Sequence, residues 1–219
     1  MTHELRAARS ELVACARRIY ERGLSHGSTG NVSVRVGERI LVTGTGTALA
    51  SVTEDELSLL DLEGVHLDGP APSKEAFLHV AMLRARPESH AVVHTHSTHA
   101  AAVSALNGLD DESALPPLTS YFVMKVGRLP LLPFFAPGAS GYGPVAEAAA
   151  RTSAALLLRN HGPIAAGRTL RDALESCEEI EETARIFLLL QGRATHLVPP
   201  PEQWRDHPPH TDDGDEDAR

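Results

Sequence analysis

Residues 91–100, AVVHTHSTHA, place three histidines within six positions, directly after a short apolar run. Side chains two apart in a β-strand point to the same face of the strand, so a strand through this run puts His94 and His96 side by side. Thr95 then faces the other way. The stretch therefore predicts a buried strand that ends in two neighbouring imidazoles, with a helix over the following STHAAAVSAL.

Another histidine follows a second apolar strand. In AALLLRNHGPIAAG, residues 154–167, His161 lies in an Asn-His-Gly turn just past the strand. Side chains at strand ends reach the mouth of a sheet, where loops converge. Three neutral imidazoles are good ligands for zinc or another divalent ion, and they leave positions open for a substrate. The pattern therefore predicts a metal site.

A helix over PSKEAFLHVAMLRAR, beginning with Ser73 as its cap, brings Glu75 near its N-terminus, from where the carboxylate can reach the same cavity. His79 is one turn further along the same face. We expect His79 and His99 to support the ligands or to pack, because oriented imidazoles commonly do so around a metal. Six further histidines are predicted to be ordinary exposed residues: His3, His66, His90, His196, His207 and His210.

Three small polar turns are candidates for binding a phosphate group. They are Ser28-Thr29-Gly30-Asn31, Thr43-Gly44-Thr45-Gly46 and Ser73-Lys74. Each can present backbone N–H groups and hydroxyls, the last opens a helix, and Lys74 adds a positive charge. None matches a nucleotide-binding pattern, since the lysine and spacing of a P-loop are missing. A small phosphate is the better interpretation.

The chain of 219 residues predicts one domain over residues 1–198 and a Pro-rich acidic tail over residues 199–219. Six acidic residues and one arginine lie between Asp206 and Arg219, a net −5 of the chain's −9. Such a tail is typical of disorder. The remaining mild acidity argues against a nucleic-acid surface, and no apolar run reaches the roughly 20 residues of a membrane span. We expect a cytoplasmic protein with Cys15 and Cys177 buried and unpaired.

Hydrophobic periodicity predicts alternating elements along the rest of the chain. A first helix is expected to about Arg22, hairpins around Gly37-Glu38 and Glu63-Gly64, strands over YFVMKV, LPLLPFF and AALLLRN, and helices over SGYGPVAEAAAR and LRDALESCEEIEETARIFLLLQG. Early hairpins followed by alternating strands and helices predict a mixed sheet covered by helices.

Five motifs, in the order GSTGNVSVR, LVTGTG, PSKEAFLH, VVHTHS and LLLRNHG, resemble the class II aldolase/adducin family from about residue 3 to residue 192. The resemblance implies an α/β fold, a three-layer α/β/α arrangement around a mostly antiparallel central sheet. It implies one metal ion per subunit, usually zinc, and a homotetramer with sites between subunits. The implied residues are the metal ligands His94, His96 and His161, Glu75 as acid/base and alternative ligand, Gly30, Asn31, Thr43, Gly44, Ser73 and Lys74 around a substrate phosphate, and Tyr121 from a neighbouring chain.

The reaction that we expect is suggested by a difference between this sequence and the aldolases of the family. Aldolases usually have two small hydroxyl residues before the glutamate, whereas here Lys74 precedes Glu75. GLSHGSTGNVSVR, APSKE, HSTHA, LPPLTSYFVMKVG and EEIEETARIFLLL resemble the family's 3-oxo-tetronate 4-phosphate decarboxylases, which form dihydroxyacetone phosphate and carbon dioxide through a metal-stabilised enediolate. The alternatives are an aldolase of the L-fuculose 1-phosphate type, which uses the same metal residues, and a non-catalytic adducin-like module, which the intact set of Glu75 and three histidines disfavours.

Overall fold

The computed structural model of the chain describes residues 3–136 and 138–204. Within these residues the helices are α1 (His3–Glu21), α2 (Ala76–Ala85), α3 (Thr98–Ser104), α4 (Ser120–Lys125), α5 (Gly143–Ala150) and α6 (Leu170–Leu189). The strands are β1 (Asn31–Val36), β2 (Arg39–Thr43), β3 (Leu57–Asp61), β4 (His66–Asp68), β5 (Ala91–His94), β6 (Leu131–Leu132), β7 (Ala155–Leu158) and β8 (Gly162–Gly167).

The described strands form one sheet in the order β4-β3-β2-β1-β5-β8-β7-β6. Neighbours pair antiparallel except β6 and β7, which are parallel. One apolar core contains buried residues of α1, α3, α4 and α6, and the other contains those of α2 and α5. The expected three-layer arrangement around a mostly antiparallel sheet is confirmed.

Strands β5 and β7 lie between the two helical layers, and this explains their uninterrupted apolar sequences. In β5, Ala91 and Val93 belong to one core, while Val92 belongs to the other. In β7, Leu157 belongs to the first of these cores and Leu158 to the second. A strand covered on both faces has no position for a polar side chain until it leaves the sheet. Polar residues that follow such a strand are therefore placed at the edge of the sheet.

The predicted strand over YFVMKV is wrong, because this segment is helix α4. Thr119 caps the helix by accepting a hydrogen bond from the backbone N–H of Phe122 at 3.0 Å. Phe122 is fully buried in the core and Val126 packs against it, whereas Tyr121 and Met124 are exposed. The aromatic and branched residues that suggested a strand are thus spread around a short helix that begins after the Thr119 cap.

Strand β8 was not expected from GPIAAG, because Gly, Pro and Ala are poor strand formers. It pairs with both β5 and β7, so the two apolar strands align its backbone despite its composition. The predicted tail lies outside the described residues from residue 205 onward, as do His207 and His210. Among the described helices, none is both long enough and apolar enough to cross a membrane.

Candidate metal centre

Four of the predicted site residues converge at one edge of the sheet and form a ligand cluster: Glu75, His94, His96 and His161. Their potential ligand atoms all lie within 4.8 Å of one another. The Nε2 atoms of the three histidines are 3.1 to 3.2 Å apart. The cluster offers three imidazole nitrogens and a carboxylate oxygen at the boundary between the protein interior and a cavity.

His94 is the last residue of β5 and is fully buried. Its Nδ1–H donates to the carbonyl of Pro163 at 2.9 Å, so Nε2 presents a lone pair to the other rings. Burial lowers the pKa of His94 to about 4 and that of His96 to about 3, which keeps both rings neutral at neutral pH. Neutral nitrogens directed at one point, together with a carboxylate, match the ligand preference of a divalent metal ion.

His96 lies beyond the end of β5, so it is not on the strand face that sequence periodicity suggested. Its backbone N–H donates to the Ser25 hydroxyl at 3.4 Å. The extended backbone continues one residue past the strand, where Thr95 N–H donates to the Pro163 carbonyl at 3.1 Å. That extension brings the His94 and His96 rings to 4.8 Å between centroids. The prediction that His94 and His96 lie close together is therefore correct, but His96 is carried by the loop after β5 and not by the strand.

His161 is carried by the tight turn between β7 and β8. Asn160 has φ of 56°, a left-handed conformation that asparagine tolerates better than most residues. Gly162 lies so close to β5 that a Cβ atom there would be 2.2 Å from the Thr95 carbonyl oxygen. The Asn-His-Gly sequence is therefore required by the turn and by its approach to the segment that precedes His96.

Glu75 is the N-cap residue of α2, although the sequence suggested Ser73 for this position. Its two carboxylate oxygens lie 3.0 Å from His161 Nε2 and 3.4 Å from His94 Nε2. Burial acts to raise the pKa of Glu75, but the interactions with His161 and His94 and a hydrogen bond from Asn31 hold it well below the usual value. Glu75 is therefore ionised and negatively charged beside the imidazoles.

Behind Glu75, a buried chain of hydrogen bonds fixes its orientation. Asn31 Nδ2 donates to Glu75 Oε2 at 2.9 Å, and Asn31 Oδ1 lies 2.5 Å from His79 Nε2. The other ring nitrogen of His79 lies 2.8 Å from the Ser33 hydroxyl. Because Asn31 donates to the carboxylate, its carbonyl must accept from His79, and the His79 Nδ1 then accepts from Ser33. His79 thus takes the supporting position proposed for it.

Most of the predicted phosphate-binding residues surround a cavity of about 280 Å³ that opens beside the cluster. It is lined by Ser28, Thr29, Gly30, Asn31, Gly44, Thr45, Gly46, Ser73, Lys74, Glu75, His96 and His161. Gly30 has φ of 78°, and a Cβ atom there would be 2.4 Å from the Ser25 hydroxyl. Thr43 does not line the cavity, because its hydroxyl accepts from the Val32 N–H at 3.2 Å inside the sheet.

Tyr121 does not approach the cluster of its own chain. It is 62% exposed on α4, which packs on α6 in the layer of α1 and α3. Sequence reasoning also missed an aromatic wall beside His161. The ring of Phe135 stacks on Tyr142 at 4.3 Å and on His161 at 6.0 Å between centroids. The Tyr142 hydroxyl donates to the Pro133 carbonyl at 2.7 Å, which anchors this wall.

Comparisons with known proteins agree with this geometry. Residues 10–188 match the model of the class II aldolase and adducin N-terminal domain. The chain is 44% identical to a 3-oxo-tetronate 4-phosphate decarboxylase of Haemophilus influenzae, over 85% of this chain and 90% of the relative. It is 32% identical to an L-fuculose phosphate aldolase of Methanocaldococcus jannaschii, over 83% and 96%.

The fold has a similar counterpart among solved structures. The crystal structure of YgbL from Klebsiella pneumoniae, which is described as an aldolase, epimerase or decarboxylase, superposes with a TM-score of 0.85 at 36% identity. The superposition covers 89% of this chain and 95% of YgbL. From its sequence and its fold, the chain belongs to the class II aldolase and adducin family.

Proposed function

We propose that this enzyme decarboxylates a 3-oxo-tetronate 4-phosphate to dihydroxyacetone phosphate and carbon dioxide. The observation that carries the proposal is the ligand cluster at the wall of a cavity lined by glycine turns, hydroxyls and Lys74. Relatives that are named for this reaction support it, at 36 to 44% identity over most of the chain. The cavity is lined both by residues that can bind a phosphate and by residues that can bind a metal ion.

The proposed cofactor is one Zn²⁺ ion per subunit, held by His94, His96 and His161, with Glu75 as a ligand in the absence of substrate. A divalent ion at this position supplies the positive charge that stabilises the electron pair left behind by the broken carbon–carbon bond. Imidazole ligands are compatible with zinc, and three of them leave room for substrate oxygens. Metal analysis of the purified protein is the direct test of this identity.

The remaining cavity residues are proposed to bind the phosphate and orient the substrate. Gly30, Gly44 and Ser73 line the cavity, where Ser73 offers its hydroxyl and Lys74 a positive charge. The Gly44 N–H already donates to the Glu56 carbonyl at 2.8 Å, so we propose that Gly44 shapes the turn beside the phosphate. Asn31 contributes its amide, although one of its N–H bonds is already directed at Glu75. Thr43 was predicted to share this role, and we propose that it acts indirectly: its carbonyl accepts from the Ser73 N–H at 3.1 Å and so fixes the two turns together.

The proton balance of the reaction defines the role proposed for Glu75. Loss of carbon dioxide from C1 leaves the electron pair on C2, which must gain a proton to give the product hydroxymethyl group. Glu75 is ionised, so it first takes a proton from a water molecule, which leaves hydroxide, and then delivers that proton to C2. Tyr121 is the alternative proton carrier, supplied by a neighbouring subunit of a proposed homotetramer, since it is far from the cluster of its own chain.

An assay with two substrates tests the proposed reaction against its alternative. Metal-loaded protein is given 3-oxo-tetronate 4-phosphate or L-fuculose 1-phosphate, and dihydroxyacetone phosphate and carbon dioxide are measured together. Equal amounts of both products from the first substrate are expected. Dihydroxyacetone phosphate from the second substrate alone would identify an aldolase, which the similarity to L-fuculose phosphate aldolases makes the second candidate.

Lys74 is the cavity residue at which this sequence departs from the aldolase pattern. We propose that its ammonium group holds an anionic group of the substrate, either phosphate or carboxylate. Lys74→Ala should raise the KM for 3-oxo-tetronate 4-phosphate by about 10-fold or more, as loss of a charge-assisted hydrogen bond predicts. Arg151→Ala is the control, because Arg151 is exposed and pairs only with Glu147 on α5. An unchanged KM in Lys74→Ala would contradict this role.

A further inference from the structure

Helix α3 connects the two ligands that are carried by loops. It begins at Thr98, two residues after His96. At its other end, the Ser104 hydroxyl accepts from the backbone N–H of His161 at 3.2 Å, and the Ser104 carbonyl accepts from Asn160 N–H at 3.3 Å. A single short helix therefore sets the separation between His96 and His161.

The beginning of α3 is held by a residue from another helix. Ser97 occupies the N-cap position but makes no side-chain cap hydrogen bond. Instead, Glu181 of α6 accepts from the backbone N–H groups of His99 at 3.0 Å and Ala100 at 2.9 Å. The same carboxylate also accepts from the His99 Nδ1–H at 2.7 Å. One carboxylate thus satisfies two helix-terminal N–H groups that would otherwise lack partners.

Glu181 is itself firmly anchored, because neighbouring residues of α6 belong to the core. Cys177, Ile180 and Ala184 are fully buried. The Cys177 thiol also donates to the Val93 carbonyl of β5 at 3.5 Å, which joins α6 directly to the strand that ends in His94. Helix α6 is therefore fixed to the strand of one ligand, while Glu181 connects it to the helix between the other two.

We propose that Glu181 is a positioning residue for the metal centre: by holding the start of α3 it fixes His96 and His161 relative to His94. It contacts none of the ligand rings and takes no part in proton transfer. The inference rests on the metal site of the proposed function but not on the choice of substrate or leaving group. It predicts that Glu181 controls metal affinity and coordination geometry more than it controls the stability of the metal-free fold.

The test compares Glu181→Gln with Glu182→Gln. Both remove one negative charge from α6 at adjacent positions, but Glu182 is exposed and pairs with Arg185 at 2.7 Å. The dissociation constants for Zn²⁺ and Co²⁺ are measured by chelator competition, and the visible spectrum of the Co²⁺ protein reports the coordination geometry. Glu181→Gln should weaken binding by about 10-fold, the lower end of the effects known for residues outside a ligand set, and should alter the spectrum. Glu182→Gln should match the wild type.

Wild-type affinity and an unchanged Co²⁺ spectrum in Glu181→Gln would overturn the proposal. Failure of the wild-type protein to bind either ion would instead overturn the metal site of the proposed function. If Glu181→Gln does not fold, Ser104→Ala tests the opposite end of α3, because it removes the acceptor of the His161 N–H. It should also weaken binding and alter the spectrum, and wild-type values for both in that variant would contradict the role of α3.

Discussion

His94 and His161 meet in the same cluster but are held by different kinds of structure. His94 lies in β5, which pairs with β1 and β8 on its two sides and is buried by helices on both faces. His161 lies in a turn, where the Ser104 hydroxyl and the Phe135 ring contact it. The backbone of the sheet fixes the first histidine, whereas individual side chains fix the second. Substitutions near the two should therefore have different consequences.

The largest effects are expected from the histidines themselves. His94→Ala and His161→Ala should each weaken metal binding by more than the roughly 100-fold known for residues outside a ligand set. Only His94→Ala should also destabilise the metal-free protein, by about 2 kcal/mol, since it leaves a cavity and removes a buried hydrogen bond to the Pro163 carbonyl. Metal titration and urea unfolding of both metal-free variants measure the two effects. Equal losses of stability would mean that the strand and the turn do not differ in this way.

The next effect concerns the close approach of the turn to β5. In Gly162→Ala, the new Cβ would lie 2.2 Å from the Thr95 carbonyl oxygen, and neither backbone segment can move freely. We expect a loss of about 3 kcal/mol in the free energy of unfolding, as for overpacking, together with weaker metal binding. Gly141→Ala is the matched control, because a Cβ there meets nothing within 4 Å. Similar unfolding curves for the two variants would contradict the close approach.

The difference between strand and turn also explains what the sequence predicts well. The apolar runs before His94 and His161 are long enough to indicate buried strands, and a polar residue that follows such a run must lie at the edge of the sheet. Both histidines lie at the same edge because β8 pairs antiparallel with β5 and with β7, so that these two strands run in the same direction. Glu75 could be assigned to the same site because the sequence shows that a helix begins nearby. The sequence did not show that Glu75 itself is the N-cap residue of this helix.

Other parts of the site depend on contacts that leave no local pattern. Glu181 and Ser104 act on segments far away in the sequence, and neither differs in type from an ordinary surface glutamate or helical serine. In the sequence, Phe135 is the second of two phenylalanines after Pro133, and no local pattern indicates that its ring stacks on His161. Helix α4 was mistaken for a strand because its composition favours one, whereas in the structure it packs on α6 and buries Phe122 in the core. Such features are decided by tertiary packing.

The smallest expected effect tests the buried support behind Glu75. His79→Gln keeps polar atoms near Asn31 and Ser33 but cannot reproduce both ring hydrogen bonds, so it should cost about 2 kcal/mol at pH 7. Burial lowers the pKa of His79 from 6.5 to about 4. Above pH 6.5 the ring is neutral in both the folded and the unfolded chain. Between pH 6.5 and about 4 only the unfolded chain takes up the proton, which removes about 3 kcal/mol of wild-type stability.

The variant lacks this proton uptake, so the stability advantage of the wild type over His79→Gln should fall below pH 6.5 and vanish near about pH 5. Urea unfolding of the metal-free proteins across this range measures the difference. His66→Gln serves as the control, since His66 is exposed on β4 and its substitution should leave the pH dependence unchanged. A constant difference between wild type and His79→Gln would mean that His79 takes up a proton in the folded protein as readily as in the unfolded chain. In that case Nδ1 of His79 would donate to the Ser33 hydroxyl, and the acceptor role deduced for Nδ1 would be wrong as well.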